Sequence, residues 1–237
     1  MMVPIVGSSE AEGSQDDAGE AGVRLRWRRG QSLLLRDIDD DTVFLVEGGC
    51  LTCDAPVAAG RRHVLLVLFP GDVLCRRFVP PLPDLQMTSA ASSVVLRVRR
   101  RESGGGKSGV QSHVLDVAAG AAQLLTRSCF YATARGRLSA EECLATLLAD
   151  MALRLGRTTP GGYAFDVPLS RRDMADYLAL NPDSLSRMMS RFKQSHLIVM
   201  PTRTRAIARD IDALIAATPF GETLRDLAAA RGQVAQA

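Results

Sequence analysis

Residues 170–194 constrain the fold of this chain most, because they carry the start signals of two short helices separated by a tight turn. Ser170 is followed three residues later by Asp173, which is the spacing of a capping box that opens a helix. Asn181 suits the N-cap of a second helix, and Pro182 suits its first position. Two short helices joined by a turn of three or four residues form a helix-turn-helix, so the segment predicts that motif.

The second helix of this pair has two faces of different chemistry. Its apolar positions recur at helical spacing and are Leu185, Met188, Met189 and Phe192. The opposite face carries Asp183, Ser186, Arg187, Ser190 and Gln194. These carboxylate, hydroxyl, guanidinium and amide groups are the ones that hydrogen-bond to base edges in the major groove. We predict that Asp183, Ser186 and Arg187 read DNA bases, with an ordinary solvated helix face as the alternative.

The surroundings of this motif are basic. Residues 154–209 contain ten Lys or Arg and four Asp, a net charge of +6, whereas residues 1–22 contain five acids and no base. A basic segment suits a polyanionic partner. Residues 197–208 follow the second helix and predict a β-hairpin wing. The side chains expected to contact DNA backbone phosphates are Ser170, Arg171, Ser190, Arg191, Lys193, Arg203 and Arg205.

Residues 23–101 show a different pattern, in which short β-type runs are broken by turn residues. Residues 42–46 precede a Glu-Gly-Gly turn, and residues 63–69 precede a Pro-Gly-Asp turn. This spacing predicts an antiparallel sandwich or barrel. Residues 1–22 are rich in Gly, Ser, Ala and acids and have little to bury, so we expect a disordered arm.

Between these two regions, apolar residues recur at alternating steps of four and three. The positions are Val110, Val114, Val117, Ala121, Leu124 and Tyr131, with Ser128 interrupting the series. A lone amphipathic helix that packs on its own domain shows the same spacing. A heptad seam ahead of a basic domain favours a helix that pairs with a second copy, and we predict these six residues as a dimer interface. Gly120 inside the helix costs ~1 kcal/mol relative to Ala, so packing must favour it.

Residues 168–187, which read PLSRRDMADYLALNPDSLSR, resemble the DNA-binding segment of the CRP/FNR superfamily, especially its FNR and FixK branches. Phe44–Gly49, Gly60–Leu65 and Phe69–Asp72 resemble the sensory β-roll of that family. Leu138–Glu142 resembles the family helix that leads into the DNA-binding domain. The similarity spans about residues 23–218.

The resemblance implies an α+β fold with an N-terminal antiparallel β-roll (a jelly-roll of the cyclic-nucleotide-binding type), a long dimerisation helix and a C-terminal winged helix-turn-helix. The expected segments are an acidic arm at 1–22, the β-roll at 23–107, the dimerisation helix at 108–137, the DNA-binding domain at 138–219 and a tail at 220–237. The resemblance also implies a transcription regulator rather than an enzyme. Its implied partners are double-stranded DNA, a second copy of the chain and RNA polymerase.

The resemblance further implies an inverted repeat with TTGA-like half-sites. This chain departs from the family pattern at two places. Where the family reads Glu-x-x-Ser-Arg, the sequence has Asp183, Ser186 and Arg187, and Asp has a shorter reach. The glycine common in the turn is replaced by Ala179, which we expect an α-compatible turn to tolerate.

We expect the β-roll to hold no cofactor. A cyclic nucleotide needs an Arg for its phosphate and an acid for its ribose hydroxyl. The sequence has no Arg from Phe78 to Val95 and no Glu between Glu47 and Glu102, and Asp84 is a weak substitute. The iron–sulfur cluster of FNR-type relatives needs four thiolates, three of them from an N-terminal cluster, and residues 1–49 contain no Cys.

Other possible ligands are few. Cys50 and Cys53 have the spacing of a redox pair or half a zinc site, but in a strand their thiols would point to opposite faces, which favours structural cysteines. Of three scattered histidines, only His113 is placed to be considered as a haem ligand. An enzyme of the metal-binding cupin type would need clustered His and Glu, and residues 43–101 have one of each.

The sequence also bears on location and on alternative functions. No apolar run approaches the ~20 residues that span a bilayer, and no secretory signal pattern is visible, so we expect a cytoplasmic protein with no membrane partner. The alternative function is a small-molecule sensor with a cyclic-nucleotide-type pocket that acts mainly through protein partners. A steep salt dependence of DNA binding would distinguish a regulator from such a sensor.

Overall fold

The computed structural model describes residues 23–57, 61–100 and 107–234. The chain divides into two compact units, of which the first ends at Thr126 and the second begins at Arg127. The predicted acidic arm at 1–22 lies outside the described residues. In the part of the chain that is described, no helix has the length and apolar character needed to cross a membrane.

The first unit is built from antiparallel strands, as predicted. The strands are β1 (Val23–Arg28), β2 (Ser32–Leu34), β3 (Thr42–Gly48), β4 (Leu51–Val57), β5 (Arg61–Leu68), β6 (Val73–Cys75), β7 (Gln86–Ser89) and β8 (Ser93–Arg100). They form two four-stranded sheets with the orders β1-β8-β3-β6 and β2-β7-β4-β5. Short 3-10 turns follow β2 at Leu35–Asp37 and β6 at Arg76–Phe78.

The alternation of residue types along the strands explains which side of each strand is buried. In β1, Leu25 and Trp27 are buried, and the arginines between and beside them are exposed. Leu25 and Trp27 join Phe44 and Leu96 in one apolar core. Gly49, in the turn after β3, has a φ of +84°, and a Cβ there would lie 2.3 Å from the Ser93 carbonyl oxygen, so only glycine fits.

The long helix α1 (Lys107–Arg137) begins one residue before the predicted boundary and ends where expected. Gly120 is buried on the first unit, and a Cβ there would lie 2.7 Å from the Cβ of Val73. Leu124 packs against the core of the β-roll. Close contact between helix and sheet therefore accounts for the glycine inside α1.

The second unit is a winged helix-turn-helix. Its helices are α2 (Ala140–Leu155), α3 (Arg171–Leu178), α4 (Pro182–Gln194), α5 (Ile211–Ala216) and α6 (Gly221–Val234). Its strands are β9 (Arg157–Thr159), β10 (Gly162–Asp166), β11 (Val199–Thr202) and β12 (Arg205–Ala208), in the sheet order β11-β12-β10-β9. The antiparallel pair β11 and β12 is the predicted wing. The segment expected as a tail forms α6, which packs against α2.

The helices of this unit begin at the capping residues that the sequence indicates. Ser139 and Glu142 form a capping box at α2, and Ser170 and Asp173 form one at α3. The Asn181 side chain accepts a hydrogen bond of 2.8 Å from the Asp183 N–H at the start of α4. These caps satisfy amide groups that have no partner inside their own helix.

The turn between α3 and α4 differs from the expectation. Ala179 has φ 56° and ψ 39°, which is the left-handed region. The expectation of an α-compatible turn at Ala179 is therefore wrong. A side chain with a Cβ occupies a conformation that costs roughly 1–2 kcal/mol and that glycine adopts freely.

Candidate nucleic-acid interface

The polar face of α4 lies at the surface of the second unit. Leu185, Met188, Met189 and Phe192 are buried against that unit, as predicted. On the opposite side, Asp183, Ser186, Arg187 and Ser190 are exposed. The apolar stripe therefore holds the helix to the protein and leaves its polar side open to solvent.

Two of the predicted base-reading residues have groups available for a ligand. Arg187 is exposed, and within the described part of the chain no hydrogen bond or ion pair holds its guanidinium. Ser186 is exposed, and its backbone carbonyl accepts a hydrogen bond of 3.0 Å from the Ser190 hydroxyl. Ser190 is thus engaged within its own helix. Asp183 lies in the first turn of α4, where a carboxylate also suits the helix dipole.

The cationic side chains around α4 differ in their solvent exposure and in whether they form an ion pair. Lys193 and Arg203 are exposed, and Arg205 is half-buried at the start of β12. Arg191 forms an ion pair of 2.9 Å with Glu141 of α2. Glu141 is a functional neighbour that sequence reasoning missed, because the two residues are 50 positions apart and no local pattern joins them.

Ser170 and Arg171, both predicted to contact the DNA backbone, have partners within the protein. The Ser170 hydroxyl donates to Asp173 at 2.6 Å and serves as the cap of α3. Arg171 is half-buried with its Nη2 3.1 Å from the Met200 sulfur, and its Nη1 is buried with no hydrogen-bond partner among the described residues. Burial lowers the pKa of Arg171, because it disfavours the charged form.

Some residues of the predicted dimer seam pack against their own chain and are not open to a second copy. Tyr131 is 3% exposed and donates a hydrogen bond of 2.9 Å to Asp150, so its assignment to the dimer interface is corrected. Leu124 packs on the β-roll core, while Val117 and Ala121 are half-buried. The side chains of Val110 and Val114, and that of His113, lie outside the described residues.

A neighbouring face of α1 is exposed and has the same spacing. Its members are Ala118, Ala122, Leu125, Cys129 and Ala132, again at alternating steps of four and three. Leu125 is 65% exposed and is the largest apolar side chain on this face. We call these five residues the exposed seam. Since each heptad position has a neighbour one residue along with the same period, the pattern alone could not distinguish the two faces.

Two acidic residues of the β-roll that could contact a bound ligand already have partners within the protein. Asp84, the weak substitute for a ribose-binding acid, forms an ion pair with Arg36. Buried Asp54 accepts hydrogen bonds from Thr52 at 3.1 Å and Gln86 at 2.9 Å, and Arg62 lies 3.8 Å away. The Asp54 carboxylate is therefore satisfied by its own sheet.

The two cysteines of this pair are buried. Cys50 and Cys53 are both fully buried and unbridged. Burial raises the pKa of the Cys53 thiol to about 12, and the carboxylate of Asp54 adds to this effect. Within the described ranges no group of three or more Cys, His, Asp or Glu residues is arranged to hold a metal ion. A buried thiol is a poor nucleophile and a poor metal ligand, so both residues act as core side chains.

Comparison with known proteins supports the assignment of the second unit. Residues 144–217 match the family described as the Crp-like helix-turn-helix domain. The transcriptional activator protein FnrL of Cereibacter sphaeroides is 39% identical over 85 residues, 34% of this chain and 34% of FnrL. The nitrogen fixation regulation protein FixK of Rhizobium meliloti is 25% identical over 174 residues, 73% of this chain and 77% of FixK. The match to FnrL thus spans about a third of the length of that relative.

Solved structures share the fold of both units. FixK2 from Bradyrhizobium japonicum superimposes with a TM-score of 0.70 at 23% identity, covering 84% of this chain and 98% of FixK2. The CRP-family regulator TTHB099 from Thermus thermophilus gives a TM-score of 0.65 at 20% identity, covering 81% of this chain and 95% of that protein. Residues 144–217 thus carry a Crp-like helix-turn-helix domain, and the chain is similar to regulators of the FNR and FixK branch of the CRP/FNR family. That family consists of transcription regulators, not enzymes.

Proposed function

We propose that this protein is a sequence-specific DNA-binding transcription regulator that places α4 in the major groove. The observation that carries the proposal is the two-sided α4, whose apolar side is buried and whose Asp183, Ser186 and Arg187 are exposed together. A major groove about 12 Å wide admits a helix of this kind. By their names, FnrL is a transcriptional activator and FixK regulates nitrogen fixation.

The proposed base contacts follow from side-chain geometry. Arg187 makes a bidentate contact to O6 and N7 of a guanine, and Asp183 accepts a hydrogen bond from N4 of the paired cytosine. Ser186 touches a neighbouring thymine. Together these contacts suit TTGA-like half-sites arranged as an inverted repeat, with centres about one helical turn apart.

Backbone contacts come from the cations on either side of α4. Lys193, Arg203 and Arg205 can meet phosphates without breaking an ion pair, because none of them forms one within the described part of the chain. Arg191 must exchange Glu141 for a phosphate, which lowers the net gain from that contact. Wing and recognition helix therefore contribute unequally to the salt dependence of binding.

The proposed active form is a homodimer paired through α1. The exposed seam supports this pairing, because Leu125 and the small residues around it leave an apolar stripe at heptad spacing. Two copies related by a two-fold axis match the symmetry of an inverted repeat. We propose that such a dimer acts in the cytoplasm, with RNA polymerase as its protein partner.

The alternative of a small-molecule sensor gains no support from the first unit. A sensor pocket needs polar groups available to a ligand. The buried Asp54 already has Thr52 and Gln86 as hydrogen-bond partners. We therefore keep DNA binding as the function and leave the β-roll without an assigned ligand.

Selection of binding sites from random duplex DNA with the purified full-length protein tests the proposal. We expect enrichment of inverted repeats with TTGA-like halves at one spacing. The matched control is the Arg187→Ala variant, which should enrich weakly and without a fixed guanine. Recovery of unrelated sequences by the wild-type protein would contradict the proposal.

A further inference from the structure

A buried carboxylate joins α1 to the helix-turn-helix within the second unit. Asp150 of α2 is 3% exposed. It accepts hydrogen bonds from Arg127 Nη2 at 2.5 Å and from the Tyr131 hydroxyl at 2.9 Å. Both donors lie on α1, one helical turn apart. A buried carboxylate is costly unless it is paired and hydrogen-bonded, so these two contacts belong together.

The same stripe of α1 also holds α3. The ring of Tyr131 lies 4.9 Å from the ring of Tyr177, measured between centroids. Arg135, one turn further along α1, donates a hydrogen bond of 3.1 Å to the Tyr177 carbonyl, and its Cζ lies 5.5 Å from the centre of the Tyr177 ring. We call Arg127, Tyr131, Arg135, Asp150 and Tyr177 the α1 clamp.

The α1 clamp involves helices that matter for DNA reading. Tyr177 is on α3, and α3 packs against the recognition helix α4. The clamp combines an ion pair, two hydrogen bonds from α1 and two ring contacts, all directional. Burial, followed by the charge of Asp150, raises the pKa of Tyr131 well above its usual value, so its hydroxyl stays protonated and keeps donating.

We propose that Asp150 and Tyr131 are positioning residues for DNA binding, which fix the direction in which α1 leaves the helix-turn-helix. This inference rests on the proposed function, a dimer that pairs through α1 and binds two half-sites. In such a dimer, the separation of the two α4 helices depends on how each α1 joins its second unit. The clamp therefore sets the half-site spacing that the dimer accepts, without touching DNA itself.

The test measures affinity for three duplexes, using full-length protein. One duplex carries two half-sites at the selected spacing, the second carries them one base pair further apart, and the third carries a single half-site. The variants are Asp150→Asn, which removes the charge at constant shape, and the milder Tyr131→Phe, which removes only the hydroxyl. The control is Thr146→Val on α2, a buried residue outside the clamp whose hydroxyl bonds to Glu142 and Thr218.

We expect the clamp variants to lose about tenfold in their preference for the selected spacing, while single half-site affinity changes by less than about twofold. Thr146→Val should keep the wild-type preference at a similar loss of thermal stability. Equal losses on all three duplexes, or an unchanged spacing preference in folded Tyr131→Phe, would overturn the inference. Wild-type protein that prefers no spacing would instead contradict the proposed function.

Discussion

Ala179 adopts a left-handed backbone conformation at the turn between α3 and α4. Alanine itself gives no sign of this conformation, whereas the glycine common at this place in the family adopts it freely. By contrast, the caps at Ser139, Ser170 and Asn181 could be predicted, since a capping contact joins residues two or three positions apart. Local contacts can be predicted from spacing, whereas the left-handed backbone of an alanine cannot.

Replacing Ala179 with glycine should stabilise the protein. Relief of the left-handed strain exceeds the extra chain entropy of glycine, so we expect a gain of up to about 1 kcal/mol in the free energy of unfolding. The matched control is Ala229→Gly at an exposed position in α6, which should lose roughly 1 kcal/mol. Urea denaturation of both variants measures the difference. A loss in both would show that the turn carries no strain.

The cysteines should differ sharply in reactivity. Cys50 and Cys53 are fully buried, with the pKa of Cys53 raised to about 12, whereas Cys129 is exposed. Thiolate is the reactive form, so near neutral pH the folded monomer should be alkylated at Cys129 and spared at Cys50 and Cys53, and pairing through the exposed seam should slow the reaction of Cys129. Mass spectrometry after brief iodoacetamide treatment checks this, with urea-unfolded protein as the control. Rapid modification of Cys53 in folded protein would disprove its burial.

At the scale of elements, α1 shows what periodicity can and cannot predict. The heptad spacing correctly indicated one long helix, observed at Lys107–Arg137. It did not indicate which face meets the β-roll, because that depends on Val73 and on core residues distant in sequence. Asp150 was similarly missed: an acid within the apolar stripe of α2 is a signal of buried partners, but its partners lie on α1.

A charge in the exposed seam should break the proposed dimer. Leu125→Glu places two like charges across a paired α1 without disturbing a buried core, because Leu125 is 65% exposed. We expect a monomer with unchanged helix content by circular dichroism. The control, Gln123→Glu, adds the same charge at constant shape outside the exposed seam and should remain dimeric. Analytical ultracentrifugation decides the matter, and a dimeric Leu125→Glu protein would rule out this interface.

At the scale of the whole molecule, the sequence indicated both units and their order. Alternating strands and helical capping signals each have local periods, which is why the β-roll and the winged helix could be predicted separately. The non-local pairs could not be predicted, among them Arg191 with Glu141 and Arg171 with Met200. These pairs decide which predicted DNA contacts are free and which are already engaged.

The most direct test of the account is a titration of the selected duplex and a panel of its base-substituted variants, at two salt concentrations. We predict that Arg187→Ala relaxes the preference for guanine by roughly ten- to a hundredfold, because one bidentate contact is lost. Arg203→Ala should instead weaken binding to every duplex alike and flatten the salt slope, as loss of a phosphate contact requires. If Arg187→Ala weakens all duplexes equally, α4 does not read bases through Arg187, and the central claim is contradicted.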